Sequence, residues 1–144
     1  MATYTIRSLG GFGSASGVYP LDLAGLRAFV VEDEALVLLT LEDMLADLGC
    51  EVVVSAQHVD EALRLAPDAA VDVALLDVNV GGTRIDPVAQ VLAARGIPIV
   101  FVTGYEAPSL PYGLAGTARV AKPFQLGELA AGLRHAVGQG RGKR

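Results

Sequence analysis

The sequence is poor in the features that mark secreted and membrane proteins. Its single cysteine, Cys50, cannot form a disulfide bond within the chain. No uninterrupted apolar stretch approaches the ~20 residues that span a bilayer, and no positively charged start leads into an apolar segment at the N-terminus. We therefore expect a cytoplasmic protein without membrane insertion, in which Cys50 is a small buried side chain.

An excess of positive charge is also absent, because the formal net charge of the 144-residue chain is −5. Three of the basic residues, Arg141, Lys143 and Arg144, stand at the very end, so the body of the chain is more acidic than the total. An acidic body argues against direct binding to nucleic acid, whose phosphates attract basic surfaces. The length suits one domain with a sizeable core.

Glycine is unevenly distributed and helps to divide the chain. Four glycines within residues 10–17 lie among serine and alanine, a composition typical of flexible linkers. We therefore predict a flexible N-terminal extension over residues 1–25, a folded domain over 26–138 and a basic flexible tail over 139–144.

Five short apolar blocks, rich in β-branched residues, follow one another within the predicted domain. They are Arg27–Val31, Glu51–Ser55, Asp72–Asp77, Ile97–Val102 and Ala118–Ala121. Several are continuously apolar, which is typical of parallel strands buried on both faces, and amphipathic helical patterns separate them. This alternation predicts an α/β fold with a doubly wound, five-stranded parallel sheet and right-handed crossovers.

The segment between the last two predicted strands, Tyr105–Gly116, has an unusual composition for a helix. It contains Pro108, Pro111, Gly113 and Gly116. Proline inside a helix removes a hydrogen-bond donor and clashes with the preceding turn. We therefore predict that the fourth helix of the fold is replaced by a short, irregular or mobile element.

Polar side chains follow four of the five predicted strands. The first strand runs into Glu32 and Asp33, the third ends at Asp77, the fourth leads to Thr103 and the fifth runs into Lys122. Because doubly wound sheets bind ligands beyond the carboxyl ends of their strands, these side chains should converge. Clustered carboxylates repel one another unless a cation compensates them, and oxygen ligands without histidine or cysteine favour Mg²⁺.

The same set of groups suits phosphoryl transfer. A cation, a lysine and a hydroxyl around a carboxylate spread the charge of a transferring phosphoryl group and hold it in line with the attacking oxygen. Aspartate is an established type of phosphoryl acceptor. Each residue alone has an ordinary explanation as a helix cap or a turn residue, so the hypothesis depends on the combination.

The stretches that carry these residues resemble the response-regulator receiver domains of two-component systems. They are FVVEDEALV (29–37), ALLDVNVGG (74–82), IVFVTGY (99–105) and AKPF (121–124). The resemblance covers nearly the whole predicted domain and implies a flavodoxin-like fold with strand order 2-1-3-4-5. The stretch FVTGY is similar to a Phe-X-Thr-Gly-Tyr motif that marks a subgroup of single-domain receivers.

The resemblance implies a role for each acidic residue. Asp77 corresponds to the phosphoryl acceptor and Asp33 to a direct Mg²⁺ ligand, while Glu32 corresponds to a residue that acts on the ion mostly through water. The backbone carbonyl of Asn79 corresponds to a further Mg²⁺ ligand. We therefore expect these four residues to form the metal site.

Other positions correspond to residues that respond to the phosphoryl group. Thr103 matches the hydroxyl residue that binds this group on activation, Lys122 matches the lysine that contacts its oxygens, and the peptide bond before Pro123 is usually cis in the family. Arg119 stands where family members commonly have an aromatic switch residue. Tyr105 is a candidate for that missing role, and the alternative is that it only covers the loop.

As a receiver, the chain would take a phosphoryl group from a histidine kinase or a phosphotransfer protein and then switch its contacts with a downstream protein. It would be a signalling domain rather than a turnover enzyme. The alternative is a non-phosphorylated interaction scaffold. An Asp-X-Asp phosphatase is disfavoured because Asn79, two positions after Asp77, cannot act as a general acid. A stand-alone receiver and the terminal receiver of a hybrid kinase both remain open.

Overall fold

Strands and helices alternate along the chain, as predicted. The computed structural model describes residues 21–104 and 117–142, with side chains over 22–104 and 117–138. In order, the elements are a 3₁₀ turn at Leu21–Leu23, β1 at Arg27–Val31, α1 at Ala35–Asp47, β2 at Glu51–Ala56, α2 at Val59–Leu65, β3 at Val73–Asp77, β4 at Asn79–Val80, β5 at Thr83–Arg84, α3 at Asp86–Ala94, β6 at Ile99–Thr103, β7 at Ala118–Ala121 and α4 at Leu126–Gly142.

Five strands form one sheet in the order β2-β1-β3-β6-β7, and all of its neighbouring pairs are parallel. Since β4 and β5 form a separate small sheet, β6 and β7 are the fourth and fifth strands of the main sheet. The predicted order 2-1-3-4-5 and the flavodoxin-like α/β fold are therefore confirmed. The central strands β3 and β6 are buried along their whole length. Burial on both faces explains why these sequences are continuously apolar instead of alternating.

Successive residues of each strand point to opposite faces of the sheet and so contribute to two separate apolar cores. On one face Val30, Leu75 and Val100 pack with buried leucines of α1 and α4. On the other face Phe29 and Phe101, both fully buried, pack with the apolar sides of α2 and α3. The result is a three-layer arrangement that holds the strand ends at a defined edge.

The N-terminal boundary differs from the prediction, because residues 21–25 do not belong to a loose extension. Leu23 is 1% exposed and lies in the same core cluster as Cys50. The backbone N–H of Gly25 donates to the carbonyl of Gly49 at 2.8 Å. Burial of an apolar side chain ties this turn to the domain, although the glycines upstream suggested a linker. The remainder of the predicted extension lies outside the described residues.

The C-terminal helix is longer than expected. The glycine-rich composition suggested that the fold ends at 138, but α4 continues to Gly142, four residues into the predicted tail. Glycine inside a helix costs about 1 kcal/mol relative to alanine, which weakens a helix without forbidding it.

The predicted irregular fourth helix, Tyr105–Gly116, lies outside the part of the chain that the structure describes.

Cys50 is buried, as expected, and its Sγ lies 3.5 Å from the carbonyl oxygen of Leu23. Burial raises the pKa of its thiol to about 11, so the group stays protonated and behaves as a small apolar side chain.

Within the described ranges, none of the helices has the length and apolar character required to cross a membrane.

Candidate functional site

The polar residues singled out in the sequence lie together at the carboxyl edge of the sheet. Glu32 and Asp33 directly follow β1, Asp77 ends β3, Thr103 ends β6, and Lys122 follows β7. The parallel register pairs Asp77 with Val102 and Thr103 with Ala121, so the strands end at nearly the same level. The predicted convergence is therefore present in the fold.

Three carboxylates form the centre of this edge. One carboxylate oxygen from each of Glu32, Asp33 and Asp77 lies within 4.8 Å of the other two. Glu32 is fully buried and Asp77 is 7% exposed, whereas Asp33 is half-buried. Like charges at this separation repel one another, and low exposure to water weakens the screening between them.

Lys122 is the cation that faces these acids. Its Nζ lies 2.9 Å from Glu32 Oε1 and 3.1 Å from Asp77 Oδ2. The more exposed Glu34, which the sequence analysis did not consider, lies 3.6 Å from the same ammonium. The ammonium thus binds two buried carboxylates that come from two different strands.

Glu32 is only partly satisfied by these contacts. Its Oε2 accepts a hydrogen bond from the backbone N–H of Glu34 at 3.0 Å. Its Oε1 is close to Lys122 Nζ but outside hydrogen-bond geometry, and no other donor in the described ranges reaches it. Burial raises the pKa of the Glu32 carboxyl, and the contacts with Lys122 and the Glu34 N–H offset that rise only in part.

The charges at this edge do not balance. Burial alone would lower the pKa of Lys122, but the close contacts of its ammonium with the carboxylates of Glu32 and Asp77 outweigh this effect, and the pKa is raised. The lysine therefore stays charged at neutral pH. The three clustered carboxylates against one ammonium leave at least two negative charges, and a divalent cation would offset two of them.

The donor set fits a hard divalent ion such as Mg²⁺. It offers carboxylate oxygens from Glu32, Asp33 and Asp77, and no histidine or cysteine of the described chain belongs to the cluster. Hard cations of this kind prefer oxygen ligands. The buried Glu32 Oε1, which lacks a hydrogen-bond donor, is a second feature that an ion or its bound water would satisfy.

Thr103 and Lys122 are linked through the backbone. Thr103 is 2% exposed, and its carbonyl accepts a hydrogen bond from the Lys122 N–H at 2.8 Å. The peptide bond between Lys122 and Pro123 is cis, as the resemblance implied. These features bring the hydroxyl residue at the end of β6 and the lysine after β7 to the same rim of the site.

A small hairpin that the sequence analysis missed forms another side of the site. Strands β4 and β5 pair antiparallel around Gly81 and Gly82. The N–H of Asn79 donates to Asp77 Oδ1 at 3.3 Å, and the N–H of Gly81 donates to Asp33 Oδ2 at 3.0 Å. A Gly-Gly pair between two extended dipeptides is a recognised hairpin signal that could have been used.

Two positions bear on the question of the switch residue. Arg119 lies on β7 with its side chain exposed, so it does not occupy an inward aromatic position. Tyr105, the proposed replacement, lies outside the described residues. The roles predicted for Tyr105 and for the carbonyl of Asn79 therefore stay predictions.

Comparison with known families agrees with this geometry. Residues 28–134 match the response regulator receiver domain family, and the chain belongs to that family. Receiver domains are signalling domains, and the chain is thus a receiver of two-component signalling. Apart from Arg27 at the start of β1, the matched range includes all five strands of the sheet, together with the residues gathered at its carboxyl edge.

Individual relatives are moderately similar to this chain. The transcriptional regulatory protein PdtaR of Mycobacterium tuberculosis is 30% identical over 115 residues, which cover 77% of this chain and 56% of PdtaR. The chain therefore spans little more than half the length of this relative. The solution structure of SdrG from Sphingomonas melonis Fr1 is 36% identical with a TM-score of 0.70, and the match covers 81% of this chain and 98% of SdrG.

One solved relative bears on the choice of ion. The receiver domain of a sensor histidine kinase from Pseudomonas aeruginosa PAO1 was crystallised with a magnesium ion coordinated in its active-site cleft. It is 25% identical to this chain with a TM-score of 0.65, and the match covers 80% of this chain and 99% of that domain. In the chain described here, the acidic cluster could hold such an ion.

Proposed function

We propose that the chain accepts a phosphoryl group on Asp77 in a Mg²⁺-dependent reaction and changes its protein contacts as a result. The observation that supports this most directly is the position of Asp77. Its carboxylate lies 3.1 Å from Lys122 Nζ and shares a pocket with the carboxylates of Glu32 and Asp33. A nucleophilic oxygen, a cationic group and a candidate metal site are thereby within one small space.

Glu32, Asp33, Asp77 and the backbone carbonyl of Asn79 are the residues that would hold Mg²⁺. When bound, the ion would neutralise charge on the phosphoryl oxygens and on the acidic cluster. The chain's own groups supply the remaining stabilisation. Lys122, whose Nζ lies 3.1 Å from Asp77 Oδ2, would contact one phosphoryl oxygen, and the Thr103 hydroxyl would bind another oxygen at the end of β6.

The donor would be a phosphohistidine on a histidine kinase or on a phosphotransfer protein. An oxygen of Asp77 forms the new O–P bond while the P–N bond to the donor imidazole breaks, and the imidazole takes up a proton as it leaves. Water later hydrolyses the acyl phosphate and returns Asp77 to its carboxylate form. Such a cycle serves signalling rather than substrate turnover.

Several finer features of the proposal follow from the resemblance. We propose that the chain belongs to the subgroup of receivers that carries the Phe-X-Thr-Gly-Tyr motif, in which Tyr105 would take the role that an aromatic residue at position 119 has elsewhere. The downstream partner would be a protein that distinguishes the phosphorylated from the unphosphorylated form, and the reaction would take place in the cytoplasm. The domain limits 26–138 belong to the same proposal, extended by the packed turn at Leu21–Leu23.

Incubation with acetyl phosphate and Mg²⁺, followed by intact-mass measurement or a phosphate-affinity gel, tests the proposal. Wild-type protein should gain one phosphoryl group, and a chelator should prevent it. Asp77→Asn should gain none. The matched control is Asp68→Asn, because Asp68 is exposed in the loop between α2 and β3, at the opposite edge of the sheet.

Undiminished labelling of Asp77→Asn would remove Asp77 from its assigned role. Absence of labelling and of Mg²⁺ binding in wild-type protein would favour the alternative, an interaction scaffold that works without phosphorylation. The Asp68→Asn protein should behave as wild type in every arm. A loss of labelling there would mean that the assay responds to surface charge and not to the site.

A further inference from the structure

We propose that the β4–β5 hairpin positions the metal site, and that Gly81 is the residue through which it acts. The proposal rests on the function proposed above, because it concerns how that site is arranged. A hairpin directly follows Asp77, and its backbone donates hydrogen bonds to two of the three clustered carboxylates. No other element of the described chain donates backbone hydrogen bonds to both Asp33 and Asp77.

The two hydrogen bonds connect acids from different strands. The N–H of Asn79 binds Asp77, only two residues away, and such a contact is local. The N–H of Gly81 binds Asp33, which is 48 positions earlier in the chain and follows β1. Each bond uses one oxygen of its carboxylate and restrains the torsions that aim the other, so the hairpin orients both groups toward the shared pocket.

The turn of the hairpin explains why Gly81 can do this. The φ angles of Gly81 and Gly82 are +59° and +87°, which match the central residues of a type I′ turn. Most residues avoid positive φ, and glycine and asparagine are the common exceptions. A Cβ added at either position meets no atom within 4 Å, so conformation and not space determines which residues are acceptable.

The base of the hairpin is attached to the domain. Val80 is 3% exposed, Ile85 is fully buried, and both belong to the core cluster under α3. The N–H of Ile85 donates to the carbonyl of Val78 at 2.9 Å. Arg84 Nε donates to Asp86 Oδ1 at 2.8 Å. With its base held in this way, the tip presents the Gly81 N–H to Asp33 in a defined position.

Titration with Mg²⁺ alone, followed by calorimetry or by backbone amide NMR, measures the expected effect without any phosphoryl donor. Gly81→Pro removes the N–H and imposes a negative φ, and it should weaken Mg²⁺ binding about tenfold, as loss of an outer contact to a metal ligand typically does. Gly81→Asn keeps the N–H and forms the Asn-Gly pair preferred in type I′ turns, so its dissociation constant should stay within about twofold of wild type.

Equal affinities of Gly81→Pro and wild type would overturn the inference, and so would a tenfold loss in Gly81→Asn. A second measurement covers the case in which the proline variant does not fold. In metal-free protein, the Gly81 amide should exchange with solvent at least about tenfold faster in Asp33→Ala than in wild type. Unchanged exchange would show that the contact with Asp33 does not hold the hairpin.

The two proposals can fail separately. If wild-type protein binds no Mg²⁺, the proposed function fails, while the exchange of the Gly81 amide still decides whether the hairpin is tied to Asp33. If wild-type protein binds Mg²⁺ and both Gly81 variants bind it equally well, the proposed function stands and the hairpin has no positioning role.

Discussion

The two edges of the sheet carry charged residues in very different proportions. At the amino edge Arg27 and Asp72 form a matched pair, with Nη2 to Oδ1 at 2.9 Å and Nε to Oδ2 at 3.0 Å. At the carboxyl edge three carboxylates face the single ammonium of Lys122. At the amino edge the two opposite charges are exposed and neutralise each other. At the carboxyl edge the charged groups are largely buried, and negative charge exceeds positive charge.

The pKa directions of the acids reflect this difference. The hydrogen bond with Arg27 lowers the pKa of Asp72, whereas burial raises the pKa of Glu32 despite its contact with Lys122. A lowered pKa means that the folded surroundings stabilise the charged form of the acid, whereas a raised pKa means that they disfavour it. Ion pairs that balance locally serve structure, and an unbalanced buried cluster indicates a site built for something else to bind.

The largest predicted effect on stability comes from removing the cation of the carboxyl edge, and removal of the cation of the amino edge is the comparison. In metal-free buffer Lys122→Met should lower the free energy of unfolding by about 3 kcal/mol, because it leaves the buried acids without a partner. Arg27→Met should cost much less, because water solvates the carboxylate of Asp72 once the exposed pair is broken. Urea unfolding in the presence of a chelator measures both values.

Addition of Mg²⁺ refines this first test. The increase in the free energy of unfolding on addition of Mg²⁺ should be larger in Lys122→Met than in wild type. In Arg27→Met the increase should equal that of wild type. Equal losses in the two variants would contradict the contrast between the edges, since the acidic cluster would then need its cation no more than Asp72 does.

The second prediction concerns stabilisation by the ion itself. With free Mg²⁺ about a hundredfold above its dissociation constant, wild-type protein should gain about 2.7 kcal/mol of stability. Asp33→Asn should lose most of that gain, because one of the three carboxylates is removed. Asp72→Asn is the matched control at the amino edge and should keep the whole gain.

Thermal unfolding at several Mg²⁺ concentrations separates these outcomes. The same concentration dependence in Asp33→Asn and wild type would mean that the ion binds somewhere other than the cluster. A calcium series in parallel would show how strictly the site selects for the smaller ion.

Most of the fold and of the site could be predicted from the sequence, because burial and position after a strand are local signals. The continuous apolar run Ile97–Val102 predicted the strand that the structure has at Ile99–Thr103. Polar residues at or just after the strand ends, including Asp77 and Lys122, predicted the carboxyl edge as the site. The parallel topology then required these residues to meet. A family resemblance added the cis peptide bond before Pro123, which composition does not encode.

The rest depended on contacts that no local pattern shows. Leu23 looked like part of a glycine-rich linker, yet it is buried in the same core cluster as Leu129 and Leu133 of α4, which lie more than a hundred positions later in the chain. The hairpin had a local signal in Gly81–Gly82, but its contact with Asp33 is a product of tertiary structure. Similarly, the 3.6 Å approach of Glu34 to Lys122 joins a residue just before α1 to one just after β7, so no local pattern shows it.

The third prediction exploits the repulsion within the cluster. In metal-free buffer Asp33→Asn should raise the free energy of unfolding by on the order of 1 kcal/mol, because two like charges about 4 Å apart repel by about that much even in bulk water and by more where screening is weaker. An asparagine oxygen can still accept the hydrogen bond from the Gly81 N–H. Asp72→Asn should instead lower stability, because it removes a satisfied partner. Destabilisation by both variants would show that the cluster is not under charge repulsion.

The smallest predicted effect is on the pH dependence of stability, which should have opposite signs at the two edges. Burial raises the pKa of Glu32 above its ordinary value of 4.5, so the contribution of Glu32 to stability is fully present below that value and is lost as pH rises through the folded pKa. The hydrogen bond with Arg27 lowers the pKa of Asp72 below its ordinary value of 3.8. The contribution of Asp72 is therefore present above that value and is lost as pH falls.

Unfolding of wild type, Glu32→Gln and Asp72→Asn by urea, in chelator and across the acidic range, isolates the two contributions. As pH rises, the stability of wild type should fall relative to Glu32→Gln and should rise relative to Asp72→Asn. If the stability of wild type rose with pH relative to both variants, Lys122 would stabilise the charged form of Glu32 as fully as Arg27 stabilises that of Asp72. The charge deficit that marks the carboxyl edge as the ligand site would then disappear, and with it the physical reason for a divalent ion to bind there.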